Sequence, residues 1–443
     1  MIYLDNIAAS FTEDEVLDVF CNTTRKYYAN PNSSHKLGLA ENELIEKATE
    51  NIAKLLSISK EEIIYTSGGT ETNNLAIKGL SLSYKNYGKH ILISGLEHNS
   101  ITSSVVSLEK LGFEVEVIPI TSSGIVDIEA LKSMLRNDTI LVSVTSVDSE
   151  LALVQPIEKI AAILKDYPNC HFHTDATQAI GKARINYDGV DLITVNPHKF
   201  HGLDNFGILI KKNGVRLTPQ IEGGKSTTIY RAGTPSLANI LALEKALEIA
   251  LTNQEERFNY LTKLGTKIKT KLKEYKNVSI NSRENSLPSV INFSLLGLKA
   301  LDIEHYFEQY DIYLSTKTSC CPITTPSKLV YALTKDKQKA TSSVRVSLSY
   351  KTTEAEIDEF LRVFDLLYRF HYSQVYRKDF DNVTGIQILL QRLEYNALTN
   401  TGRKLSDFGV PFELVRYYDR VVENKNFDLY ESYVDEKIQN LLK

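Results

Sequence analysis

The chain is poor in cysteine, has no long apolar run and carries no strong charge of either sign. Only four of its 443 residues are cysteines: Cys21, Cys170, Cys320 and Cys321. So few in so long a chain make no disulfide framework, and their spacing is not that of a zinc site. A reducing, cytoplasmic compartment is expected, in which they stay thiols. No stretch of about 18 residues is continuously apolar, which argues against a membrane-spanning helix. The opening MIYLDNIAASFTEDE has acids where a secretory leader needs a basic start and an apolar core, so no leader is expected. A net charge of −4 and a pI of 6.2 give no electrostatic reason to bind nucleic acid or an anionic membrane. Internal repeats and low-complexity tracts are absent from the sequence. What remains, 42% hydrophobic and 24% charged, is ordinary for a globular chain. Its 443 residues allow two or three domains, or one large domain with additions.

Short apolar runs alternate with helical patterns from the N-terminal region to about residue 250. EEIIYTS (61–67), KHILISG (89–95), FEVEVIPI (113–120), TILVSVTS (139–146), CHFHTD (170–175), VDLITVN (190–196) and FGILIKK (206–212) read as strands, rich in β-branched residues and bounded by turn residues. Segments such as PIEKIAAILKDY (156–167) between them read as helices. The alternation predicts an α/β fold, a mostly parallel sheet sandwiched by helices, over residues 15–250. A smaller α+β domain is expected from 1–14 together with 251–374, with strands at NVSINS, PSVINFSL, IYLST and SVRVSLS. Helical pieces joined by Gly/Asn/Asp-rich breaks make 375–443 a helical C-terminal extension. Its apolar positions Ile386, Leu389, Leu390 and Leu393 form a face that needs cover.

Ligands of such sheets bind at the carboxyl ends of strands, and several polar motifs fall there. SGGTETNNLAIKG (67–79) puts Gly69 and Thr70 at a helix start. It reads either as a phosphate cup or as a turn capped by Thr70. Asp175 ends a strand, to hold a cationic heterocyclic nitrogen or to cap a helix beginning at Ala176. Lys199 follows the strand VDLITV with His198 beside it. It is a Schiff-base lysine of lowered pKa or an ordinary surface lysine. His98, just past another strand, either stacks on a ring and moves protons or is a polar loop residue. Taken together, a phosphate cup, a carboxylate and a Schiff-base lysine on one sheet are what pyridoxal phosphate needs. Finally, STKTSCCPITT (315–325) sets two thiols side by side in a polar loop, where sulfur is wanted for chemistry or the pair is incidental.

At this point the chain resembles the cysteine desulfurases of the class-V aminotransferase group. YLDN, NPNSSHKLG, YTSGGTETNNLAIKG, EHNSI, QPI, HTDATQ, HK, YRAGTPS, LPSVIN, STKTSC and SVRVSLS occur in family order over residues 3–358. The resemblance implies a homodimeric transferase that moves sulfur from L-cysteine, leaving alanine, to an acceptor protein in iron–sulfur cluster assembly or tRNA thiolation. It implies that Lys199 carries pyridoxal phosphate, Asp175 pairs with the ring nitrogen and Gln178 contacts the ring hydroxyl. His98 stacks on the ring. Gly69, Thr70, Asn196 and His198 hold the phosphate, with Thr234 from the partner subunit. Arg345, aided by the loop around Asn30, takes the substrate carboxylate, and Cys320 is the nucleophile that carries the persulfide. Another class-V enzyme, such as a C–S or selenocysteine lyase, or a non-catalytic scaffold, is the alternative. The sequence departs from the family's usual pattern at Ser149, Asn196, Lys225 and Lys317. Lys317 is either a cation beside the thiolate or a solvent-facing residue, and Cys321 is a bystander, a second sulfur carrier or half of a vicinal disulfide with Cys320.

Overall fold

The computed structural model describes residues 1–224, 226–317 and 325–376. Cys320, Cys321, Lys225 and the expected extension from 377 onward therefore lie outside the described residues. In chain order the strands are β1 (Ile2–Tyr3), β2 (Ile63–Thr66), β3 (His90–Ser94), β4 (Glu114–Ile118), β5 (Thr139–Ser143), β6 (His171–Asp175), β7 (Leu192–Val195), β8 (Gly207–Lys211), β9 (Val278–Ile280), β10 (Val290–Leu295), β11 (Ile312–Tyr313) and β12 (Ser343–Ser347).

Strands β2 to β8 form one sheet in the order β2-β8-β7-β6-β5-β3-β4. All pairings are parallel except those of β8, which runs antiparallel to both β7 and β2. A parallel return needs a crossover of about a dozen residues, usually a helix. Between Val195 and Gly207 the chain makes only the turn Pro197–Lys199, so β8 comes back reversed. Side chains alternate between the two faces. Ile63, Tyr65, Ile193, Ile208 and Ile210 pack on one side with Ile45, Ala48 and Ile52 of helix Lys36–Leu56 and Ile240, Leu243 and Leu247 of helix Leu237–Leu251. Ile64, Leu192 and Leu209 pack on the other with Leu75, Ile77 and Leu80 and with Ile101, Val105 and Leu108 of helix Asn99–Glu109. Each such buried side chain contributes about 1.5–3 kcal/mol, which is why these strands read as nearly continuous apolar runs.

The chain divides into two compact units. The larger, Leu4–Leu296 with Ser315–Lys351, holds the seven-stranded sheet and the antiparallel sheet β12-β10-β9. The smaller, Met1–Tyr3, Gly297–Leu314 and the chain from Thr352, holds the parallel pair β1-β11. In it Phe307 of helix Ala300–Glu308 stacks on Phe360 of helix Glu354–Tyr376 at 5.1 Å. The strands expected in one small domain are thus shared out. β11 pairs with the N-terminal strand, whereas β9, β10 and β12 pair among themselves. IYLST gives a strand only over Ile312–Tyr313, after which Ser315 exchanges backbone hydrogen bonds with Arg345.

Candidate functional site

The carboxyl ends of β2, β3, β5, β6 and β7 open on a cavity of about 340 Å3. That is within the range of small-molecule sites. Gly69, Thr70, His98, Asp175, Gln178, Asn196, His198, Lys199 and Arg345 all line it. Asn30 and Thr234 do not; both are exposed on loops of this single chain.

Lys199 closes the turn after β7, with Pro197 at its first position. Its amine donates to the Ala8 carbonyl, so the segment after Leu4 runs past the site. That segment is held by Asn6 Nδ2 donating to Ser347 O at 3.0 Å and by Ser10 Oγ donating to His198 O at 2.7 Å. Asp175 ends β6 and is buried. Its Oδ1 accepts the Thr177 amide at 2.9 Å, closing a turn where a helix was the alternative expectation. Its Oδ2 accepts Asn73 Nδ2 at 2.9 Å.

Asn73 is a site residue that the motif reading did not single out. Its Nδ2 also reaches Ser100 Oγ at 2.8 Å, and its Oδ1 accepts Thr194 Oγ1 at 2.7 Å. One buried amide thereby ties Asp175 to the helix carrying His98 and to β7. The pair Asn73-Asn74, set immediately before the apolar Leu75-Ala76-Ile77, was the available signal. Asn74 turns outward to the Thr70 carbonyl. His98 caps helix Asn99–Glu109, its Nδ1 accepting the Ser100 amide at 3.1 Å. Burial lowers its pKa, Asp175 opposes that and Lys199 adds to it, so the imidazole is mostly neutral at pH 7.

The glycine-led helix start has Gly68 as cap at φ +136°, so Thr70 is not the cap. A Cβ on Gly69 would stand 2.8 Å from Asn196 Nδ2. Asn196 Oδ1 lies 2.7 Å from His198 Nδ1, which turns the amide nitrogen toward Gly69. His198 is pushed down to about 4 by burial and then by Lys199, so the neutral ring donates Nδ1–H to Asn196. Thr177 Oγ1, also at the cavity, is buried without a hydrogen-bond partner. A glycine-floored helix start with an amide donor, an orphaned hydroxyl, a carboxylate and an amine around one cavity fit a phosphorylated heterocyclic aldehyde.

Arg345, in the centre of β12, is 1% exposed. Its Nη1 donates to the Ser149 carbonyl and its Nη2 to Asp5 Oδ1, each at 2.6 Å, while Nε is buried without a partner. Ser149, one of the departures, thus serves Arg345 through its backbone. Lys317 is not solvent-facing, and the thiols it was expected to serve lie outside the described residues. It is buried, and its amine donates to the carbonyl and, at 2.8 Å, to Oγ1 of Thr325. The stems of the thiol-bearing loop are joined by this side chain.

Glu97, beside His98, is a further residue that the motifs did not flag. Its Oε1 accepts Ser94 Oγ at 2.8 Å and the Thr145 amide at 2.7 Å, while Oε2 is buried without a partner. Burial pushes the carboxyl up to about 8, and the charge of Asp175 adds to the rise. A carboxyl raised in the fold contributes stability that is fully present below its ordinary value of 4.5 and lost as pH rises through about 8. Glu97→Gln should therefore unfold less steeply with pH than wild type between those two values. Denaturant melts at a series of pH values check this; parallel stability curves would contradict it.

An amine and a carboxylate at adjacent strand ends, beside a glycine-led helix start, set a candidate site at the carboxyl edge of an α/β sheet. The chain belongs to the class-V aminotransferase family, whose sequence profile matches residues 2–360. It is 39% identical over 382 residues to a NifS/IcsS protein homolog of Lactobacillus delbrueckii subsp. bulgaricus, covering 85% of this chain and 99% of the relative. The cysteine desulfurase IscS of Dictyoglomus turgidum is 35% identical over 369 residues, 82% of this chain and 93% of its own. A solved NifS-like protein superposes with a TM-score of 0.78 at 31% identity, over 83% of this chain and 99% of that one. This is a class-V enzyme closely related to the cysteine desulfurases.

Proposed function

We propose that this chain is a pyridoxal-phosphate-dependent cysteine desulfurase. It converts L-cysteine to L-alanine, holds the sulfur as a persulfide on Cys320 and passes it to an acceptor protein of iron–sulfur cluster assembly or tRNA thiolation. The observation that carries this reading is the convergence of Lys199, Asp175, the Gly69–Asn196 cradle and Arg345 on one cavity. The kinship with a cysteine desulfurase supports the choice of substrate.

Bound there, pyridoxal phosphate would supply an electron sink for the bond changes at the substrate. The chain does the rest. Gly69, Thr70 and Asn196 hold the phosphate at the helix start. Asp175, fixed by Asn73, keeps a proton on the ring nitrogen. Lys199 would hold the aldehyde carbon, and its amine would move the proton at the substrate Cα. His98, a largely neutral imidazole, lines the cavity where it would face the ring. The Arg345 guanidinium, locked in β12, takes the substrate carboxylate. The Cys320 thiolate attacks the substrate sulfur: an S–S bond forms and the Cβ–S bond breaks. The electron pair returns to carbon and is protonated, giving alanine, so no outside oxidant is consumed. Only a few per cent of a free thiol is ionised near neutral pH, and a reducing cytoplasm keeps that thiol available. Incubation of the cofactor-loaded protein with L-cysteine should yield alanine and protein-bound sulfur in equal amounts.

A homodimer belongs to this proposal, with Thr234 and the Asn30 loop serving the partner's site. Exposed apolar side chains support it: Tyr28 (84% exposed), Ile229 (71%) and Leu37 (58%) lie in or near those segments. Ile229→Asp should shift the mass in solution from dimer toward monomer and weaken cofactor retention. Light scattering coupled to size-exclusion chromatography reads this, and a wild-type monomer would contradict it.

A further inference from the structure

Behind the site, the turn after β6 brings a second amine close to Lys199. Gly181 has φ +75°, and a Cβ there would meet the Ala250 Cβ at 3.0 Å. Only glycine suits this place, and the bend it permits swings Lys182 inward. Lys182 lines a small cavity of about 30 Å3 together with Lys199. It also lines one of about 60 Å3 with His201 and Arg257. Its amine donates to Gln178 Oε1 at 3.1 Å. Among the described residues, the charged groups that shift it are Lys199 and Arg345, and it in turn acts on His198 and His201; no carboxylate is among these.

Gln178 presents one acceptor and two N–H donors. Its oxygen is taken by Lys182. Its Nε2 gives one hydrogen to the Ile7 carbonyl at 3.0 Å. The second N–H is left for the main cavity, which Gln178 lines. If the amide were reversed, its NH2 would face an ammonium, which accepts nothing. The oxygen would then face a carbonyl, which donates nothing. We infer that Lys182 is a positioning residue: by holding Gln178 Oε1 it fixes the amide so that only a donor faces the cofactor's ring oxygen. This rests on the proposed cofactor reading of the site. Burial, then Lys199 and Arg345, push the Lys182 amine down to about 7. Amide orientation is therefore specified most sharply in the acidic half of the working range, where the amine carries its proton.

The test uses the full-length chain reconstituted with pyridoxal phosphate. Cofactor affinity and the pH titration of its visible absorption are the readouts. Lys182→Met should weaken cofactor binding about tenfold, one hydrogen bond's worth. It should also raise the titration midpoint by up to about one pH unit, because the ring oxygen loses a dependable donor. Lys182→Arg, which keeps a donor to Gln178, should restore both. In a Gln178→Ala background, Lys182→Met should add nothing further, since coupled residues are not additive. Additive effects, or a Lys182→Met protein that titrates and binds like wild type, would overturn the assignment. A wild-type chain that takes up no cofactor contradicts the proposed function as well, and it is recognised before any variant is compared.

Discussion

Lys199→Ala should be colourless after reconstitution with pyridoxal phosphate and should form alanine from L-cysteine at least about a thousandfold more slowly than wild type. The amine closes the turn after β7, at the cavity that Asp175 and His98 also line. Among the described residues no other lysine lines that cavity, and Lys182 faces the two smaller ones. The hydrogen bond to the Ala8 carbonyl that the substitution removes is worth about 1 kcal/mol to the fold. Lys199→Arg should be equally inactive, because a guanidinium does not give up its proton to become a nucleophile. Absorption spectra and an alanine assay check both variants. A Lys199→Ala protein with an undiminished visible band would show that the cofactor is held elsewhere.

The second large effect separates cofactor chemistry from sulfur chemistry. Cys320→Ala should keep the visible band and lose alanine formation, on the order of a hundredfold or more. Cys321→Ala should stay within about twofold of wild type, the ordinary outcome for a residue outside the chemistry. The two thiols are neighbours in sequence, and the loop that bears them is joined at its base by Lys317 and Thr325. Ser315 links the same base to the backbone of Arg345. Alanine formation that survives Cys320→Ala in full would instead point to a C–S lyase, which needs no thiol of its own.

Much of the fold was legible because its signals are local. Each of the seven strands of the large sheet lies inside a run that β-branched residues and flanking turns marked out. The strand ends then carried Gly69, His98, Asp175 and Lys199 to one edge, and the ordered motifs named the family. What stayed hidden depends on partners distant in sequence. Arg345 and Asp5 are 340 positions apart, and Asn73 and Asp175 are 102 apart. No period or spacing announces such pairs. The reversal of β8 follows from the short connection at Pro197–Lys199, whereas its apolar run is compatible with either direction. The burial of Lys317 stayed hidden for a similar reason: Thr325, which its amine contacts, lies across the loop.

The central claim is that sulfur leaves cysteine by way of a protein thiol. The most direct measurement is mass mapping of the cofactor-loaded wild-type protein after a single exposure to L-cysteine without reductant. The account predicts one added sulfur on the STKTSCCPITT peptide, at Cys320, matched by one alanine. Alanine released with no sulfur on the protein would contradict it.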